Sequence, residues 1–216
     1  MAAAAFASCS FLYSGRSFTS YSHPASLQDS SYASTLLQHA QQLYSLAVNA
    51  QGGQMTYESS VRVVRDSYPS TGYKDDLVLA SLWLGLALNN ATLVSQAQEY
   101  YDEFKLDGQL NNSIFNWDSV LPGIPILATQ IHHSYPQLGG DGWQARAEPY
   151  LDRVVSGQGT GKLTKGSNRF RSLDHRVLTE PPRWTAVLQP VIGFSQPEPG
   201  AQCRHAHEEI CSDCDI

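Results

Sequence analysis

The sequence predicts an all-α chain of helical hairpins followed by an irregular tail. Apolar residues recur every three or four positions in several separate stretches, the spacing of one buried helix face. One stretch, Leu77 to Leu88, is apolar at nearly every position, as expected of a helix covered on all sides. No segment shows the apolar–polar alternation of a strand. Together these patterns give five or six helices in about 155 residues.

The opening run, Met1-Ala2-Ala3-Ala4-Ala5-Phe6-Ala7-Ser8-Cys9-Ser10-Phe11-Leu12, reads as an alanine-rich internal helix. A signal peptide is the competing reading, but no basic residue precedes the apolar part. The next stripe is Leu36, Leu37, Ala40, Leu43, Tyr44 and Ala47. Ser31 or Ser34 is the expected cap, and Gly52-Gly53 the expected stop. The buried helix Leu77–Leu88 follows, joined by Asn89-Asn90 to an amphipathic partner carrying Val94, Ala97, Tyr100, Tyr101 and Phe104. Leu82, Trp83 and Leu86 are expected in the core. Asp118 is placed to cap a helix through Val120, Leu121, Ile124, Leu127 and Ile131. Pro122 suits its first turn, whereas Pro125 should kink it. Trp143, Ala147, Tyr150, Leu151, Val154 and Val155 form the last stripe. Short loops between successive helices make neighbours antiparallel.

Composition bounds the function. The chain has 216 residues, 42% of them hydrophobic and 16% charged, enough for one sizeable core. A net charge of −6 argues against a nucleic-acid partner, which would require a basic patch. No apolar run approaches the ~20 residues of a membrane span. Eleven Tyr and four Trp offer flat faces for packing or for stacking on sugars.

Two ordered motifs carry the chemistry. Gly72-Tyr73-Lys74-Asp75-Asp76-Leu77 runs into Leu79-Ala80-Ser81-Leu82-Trp83-Leu84, and Phe115-Asn116-Trp117-Asp118 follows with Trp117 34 residues after Trp83. They resemble S-G-Y-x-D-E-L-x-W-x-x-x-W-L and F-x-W-D of family 9 glycoside hydrolases, the inverting endo-β-1,4-glucanases. Lys162-Leu163-Thr164-Lys165-Gly166 resembles that family's x-x-T-x-G-G, and residues 1–166 carry the resemblance. It implies part of an (α/α)6 toroid, a cellulase activity in polysaccharide breakdown, a β-1,4-glucan partner, an extracellular parent enzyme and no cofactor.

The resemblance also implies substrate-binding residues. Asp118 matches the first acid of the family's W-D-D, which hydrogen-bonds sugar hydroxyls, and its reading as a helix cap stands beside that. Trp117 is either an aromatic cleft wall or a core residue. Tyr73 and Tyr68 fall where the family's aromatics line the cleft, although Tyr68-Pro69-Ser70-Thr71-Gly72-Tyr73 shifts the first Tyr by one residue. Asp75 and Asp76 open the buried helix, where a cap and ion pair are expected.

An inverting hydrolase requires a carboxylic acid for the leaving oxygen and a carboxylate base for water. The family's base lies in Asp-Ala-Gly-Asp and its acid is a Glu near the C-terminus. Neither segment occurs here, so no catalytic residue is assigned and this chain is expected to be inactive. His132-His133 and Asp174-His175-Arg176 resemble the family's H-H-R only superficially and read as surface residues.

From residue 167 to 216 the periodicity stops. Pro181-Pro182, Pro190, Pro197 and Pro199 interrupt every candidate element, giving a tail expected to be disordered or loosely attached. Cys203, His205, His207, Cys211 and Cys214 invite a zinc reading, but their crowding and lack of a folded frame argue against it. Two sequons, Asn90-Ala91-Thr92 and Asn111-Asn112-Ser113, are expected in loops. The alternative to a hydrolase fragment is a non-catalytic α-helical scaffold. Such a repeat protein would show self-similarity at ~34–47 residues, and none is present.

Overall fold

A computed structural model describes residues 1–65, 69–116 and 118–157. They belong to one compact unit, Met1–Asn168. The tail expected over 167–216 and its Cys/His cluster lie outside the described residues, as do Asp174-His175-Arg176 and the segment Lys162–Gly166.

The elements follow the apolar stripes. Helices α1 (Ala2–Tyr13), α2 (Ser30–Val48), α5 (Lys74–Leu88), α6 (Ala91–Glu103), α8 (Gly123–Ser134) and α9 (Gln144–Val155) each have twelve residues or more. Three four-residue helices lie between them: α3 (Tyr57–Ser60), α4 (Arg62–Arg65) and α7 (Asp107–Leu110). Short 3₁₀ turns occur at Ala25–Leu27 and Pro136–Leu138. Among the described residues there is no strand.

Helix α5 is the hub, packing on α1, α2, α6 and α8. This is the all-round apolar segment, and Val78, Leu82, Leu84 and Leu86 have no exposed surface. Trp83 is half-buried rather than fully so, packing against three core clusters without lying inside any of them. The alanine-rich opening is a packed core helix. Ala3, Ala4 and Ala7 are buried, and the small side chains let α1 approach α2 closely enough for Ser10 Oγ to donate to Ala33 O at 2.8 Å. Gly85 does the same for the α5–α6 hairpin, where a Cβ would lie 2.7 Å from Val94 Cγ2. Asn89 closes that hairpin in the left-handed region at φ 53°, a conformation Asn tolerates better than most residues.

Several expected caps are corrected. Asp29, not Ser31 or Ser34, caps α2 by accepting from Tyr32 N at 2.9 Å. Gly52 and Gly53 lie just past its end with φ of 88° and 92°. Asp118 does not cap α8, which starts at Gly123 after Pro122. The later start puts Pro125 third in the helix, where its missing N–H is one of the four with no intrahelical acceptor, so no kink is required. Pro149 lies deeper, inside α9, and there it does remove a rung.

Polar bridges tie the layers. The Tyr44 hydroxyl on α2 lies 2.7 Å from Ser81 Oγ on α5 and donates to Gln96 Oε1 on α6 at 2.9 Å. Burial pushes its pKa up to about 12, so it remains a donor at physiological pH. Arg146 of α9 stacks on Tyr101 and Trp143 and pairs with Asp102 at 2.8 Å and Asp107 at 3.5 Å. The fully buried Tyr101 and Trp143 rings meet edge-on at 4.8 Å.

Candidate functional site

The loop before α5 and the loop before α8 meet over a cleft of about 680 Å³. Thr71, Tyr73, Asp75 and Asp118 line it, with Met55 and Ile114 as apolar flanks. Asn116 shapes the second loop as an Asx turn, its Oδ1 accepting from Asp118 N at 2.8 Å and Ser119 N at 2.9 Å. Asn, with a short side chain able to mimic a backbone turn, suits this position. The turn presents the Asp118 carboxylate to the first loop, where Oδ1 accepts from Thr71 N at 3.0 Å and Oδ2 from Thr71 Oγ1 at 2.7 Å.

Asp75 makes the reverse connection. Its Oδ2 accepts from Val120 N at 2.9 Å, with Ser119 Oγ at 3.4 Å. The second loop thus holds the first through Asp118, and the first turn of α5 holds the second loop through Asp75, across 44 to 47 positions of sequence. Asp75 also sits in the first turn of α5, where the helix dipole favours negative charge. Neither Asp75 nor Asp76 caps its own helix, which has no side-chain cap, so the expected capping role is corrected to bracing. No ion pair to Asp75 or Asp118 occurs among the described residues. The Lys74 ammonium lies over the Phe104 ring at 5.3 Å instead.

The remaining acid has a different environment. Burial pushes the Asp76 pKa up, and the charges of Asp75 and Asp118 add to the rise, while the Met1 ammonium at 3.6 Å opposes it. A carboxyl raised on folding binds its proton more tightly in the folded chain, so its contribution to stability falls as pH rises through the shifted value. Asp76→Asn is therefore expected to raise the urea midpoint at pH 7. That gain should vanish as pH falls towards the ordinary value of 3.8. A less stable variant at pH 7 would mean that the Met1 pairing outweighs burial.

Of the four residues named from sequence, Tyr73 and Asp118 are brought together at the cleft. Tyr73 is half-buried at the N-terminal boundary of α5. Tyr68 and Trp117 lie outside the described residues. His132 is half-exposed with Nδ1 3.0 Å from Gly139 O, and His133 is exposed; neither lines the cleft. Sequence reasoning missed Thr71 and Asn116. The Asn-x-Asp-Ser pattern of the Asx turn was a signal for Asn116, whereas nothing local points to Thr71. Among the described residues no cluster of three or more metal-ligating side chains occurs. Each cleft carboxylate is occupied as an acceptor by protein donors, the task of an anchor rather than of a general acid.

The sequence profile of Glycosyl hydrolase family 9 matches residues 1–179. The chain belongs to this family. Its match runs thirteen residues beyond Gly166, so the stretch from Ser167 to Thr179, which includes Asp174-His175-Arg176, also resembles family 9. Endoglucanase 2 of Arabidopsis thaliana is 33% identical over 159 residues, covering 69% of this chain and 30% of the relative. Endoglucanase 5 of Oryza sativa subsp. japonica is 38% identical over 104 residues, covering 48% and 19%. The solved endoglucanase of the termite Nasutitermes takasagoensis superposes with a TM-score of 0.55 at 29% identity, over 71% of this chain and 30% of that one. The fold is accordingly part of a family 9 (α/α)6 toroid. The chain spans about 30% of the length of the first of these relatives.

Proposed function

We propose that this chain forms one wall of the substrate cleft of a longer, inverting glycoside hydrolase that cleaves β-1,4-glucosidic bonds in cellulose or related β-glucans. The observation that carries this reading is the cleft itself, in which Tyr73 and Asp118 are held on two loops that are braced together. A glucan presents alternating apolar ring faces and hydroxyl edges, and the wall offers matching chemistry. Tyr73 supplies an aromatic face. Asp118 supplies acceptor lone pairs beyond the two taken by Thr71, since a carboxylate can accept about four hydrogen bonds. The motifs that hold Trp117 and Tyr68 add two further aromatic residues that the family resemblance assigns to glucan binding. The reading puts the longer enzyme outside the cell, where polymeric glucan is met.

The chain alone lacks both the acid and the base and should bind without cleaving. Titration of cellohexaose into the purified chain, followed by tryptophan fluorescence, tests the binding half. Saturable binding is expected, weakened roughly tenfold or more by Asp118→Ala, since a hydrogen bond to a charged group contributes ~1.5–3 kcal/mol. A chain that shows no saturable response, or an Asp118→Ala variant that binds as tightly, would overturn the assignment of this wall.

A further inference from the structure

The structure assigns Asn111, at the rim of the cleft, as an acceptor for an N-linked oligosaccharide. The sequence holds two sequons, and the fold treats them differently. Asn90 is the N-cap of α6, its Oδ1 accepting from Thr92 N at 2.9 Å, and its own N–H donates to Gly85 O at 2.8 Å. Thr92 already lies inside the helix, so this triplet is not in a loop. It is pinned where α5 and α6 approach most closely, with Asn90 O only 3.2 Å from where a Gly85 Cβ would be. A transferase must draw the acceptor triplet into an open conformation, which here would undo the hairpin's connection.

Asn111 is the opposite case. It is exposed at the end of the four-residue α7, and its carboxamide makes no hydrogen bond among the described residues. Among the described residues, local bonds alone hold the triplet: Asn112 N to Gln109 O at 3.1 Å, Ser113 N to Leu110 O at 3.3 Å and Ser113 Oγ to Gln109 O at 2.8 Å. Opening this short turn breaks local bonds, one of them to the carbonyl of the buried Leu110, and, among the described residues, no bond between the long helices. Gln109, Asn112 and Ser113 line the cleft and Asn111 does not, so a glycan there is rooted beside the mouth. In the transfer, Asn111 Nδ2 attacks C1 of the first sugar of a polyprenyl-diphosphate oligosaccharide. The N–C1 bond forms, the C1–O bond breaks, polyprenyl diphosphate leaves and the amide proton passes to the transferase's base. In the cell this requires the extracellular route proposed above.

The test separates the two readings by using purified components. The purified full chain is incubated with a single-subunit oligosaccharyltransferase and a lipid-linked oligosaccharide, and intact mass is recorded. One glycan is expected on the wild type and on Thr92→Ala, which deletes the other sequon while keeping the Asn90 cap. None is expected on Asn111→Gln or Ser113→Ala. A wild type left unmodified while an Asn-Asn-Ser peptide is glycosylated in the same reaction overturns the assignment. So does a mass gain that survives Asn111→Gln.

Discussion

Replacing Asp75 by Ala should destabilise the folded chain by about 1–3 kcal/mol, because it leaves the Val120 N–H without an acceptor in a buried setting. Val120 is 3% exposed, and Asp75 Oδ2 at 2.9 Å is its acceptor. Loss of a favourable charge in the first turn of α5 adds ~0.3–1 kcal/mol. Urea unfolding monitored by circular dichroism measures the effect as a lower midpoint at unchanged slope. Asp75→Asn retains an acceptor oxygen and should recover much of the loss. If Ala were neutral, or Asn as damaging as Ala, the brace between the two cleft loops would not contribute to stability. Asp118→Ala should cost less, since Thr71 is exposed and water can replace the lost acceptor.

The long helices were legible because burial imposes a period that twelve or more residues display. Leu77–Leu88 announced the hub, and Asn89-Asn90 the connection after it. Caps were less legible. Asp29, Ser30, Ser31 and Ser34 crowd one start site, and only the direction of the incoming backbone selects Asp29. Helices α3, α4 and α7 are each one turn long, too short for any period to register. In the cleft, the motifs located Tyr73 and Asp118 but not what Asp118 touches. Its bonds to Thr71 span 47 positions, and a single sequence carries no local trace of them. Asp118 was accordingly expected as a cap for a helix that begins five residues later. The same blindness made Asp75 look like a cap, when its partner is Val120 on the loop before α8.

The largest expected effect is on catalysis. Inverting hydrolysis requires an acid to protonate the leaving oxygen and a base to activate water from the opposite face. Removing either function alone costs about 10²–10⁴ in rate, and this chain has no counterpart of the family's segment for either one. Asp118 does not substitute, because Thr71 holds it in place as a binding group and inversion requires a second carboxyl on the opposite face of the sugar. Asp75 is likewise committed to Val120. The cleft is therefore expected to hold glucan without reacting with it. The direct measurement is reducing-end release from carboxymethyl cellulose by the purified chain, run beside its Asp118→Ala variant. No release above the buffer rate is predicted for either protein. Sugar release by the chain that disappears in Asp118→Ala would contradict the account and make Asp118 a catalytic residue rather than part of a binding wall.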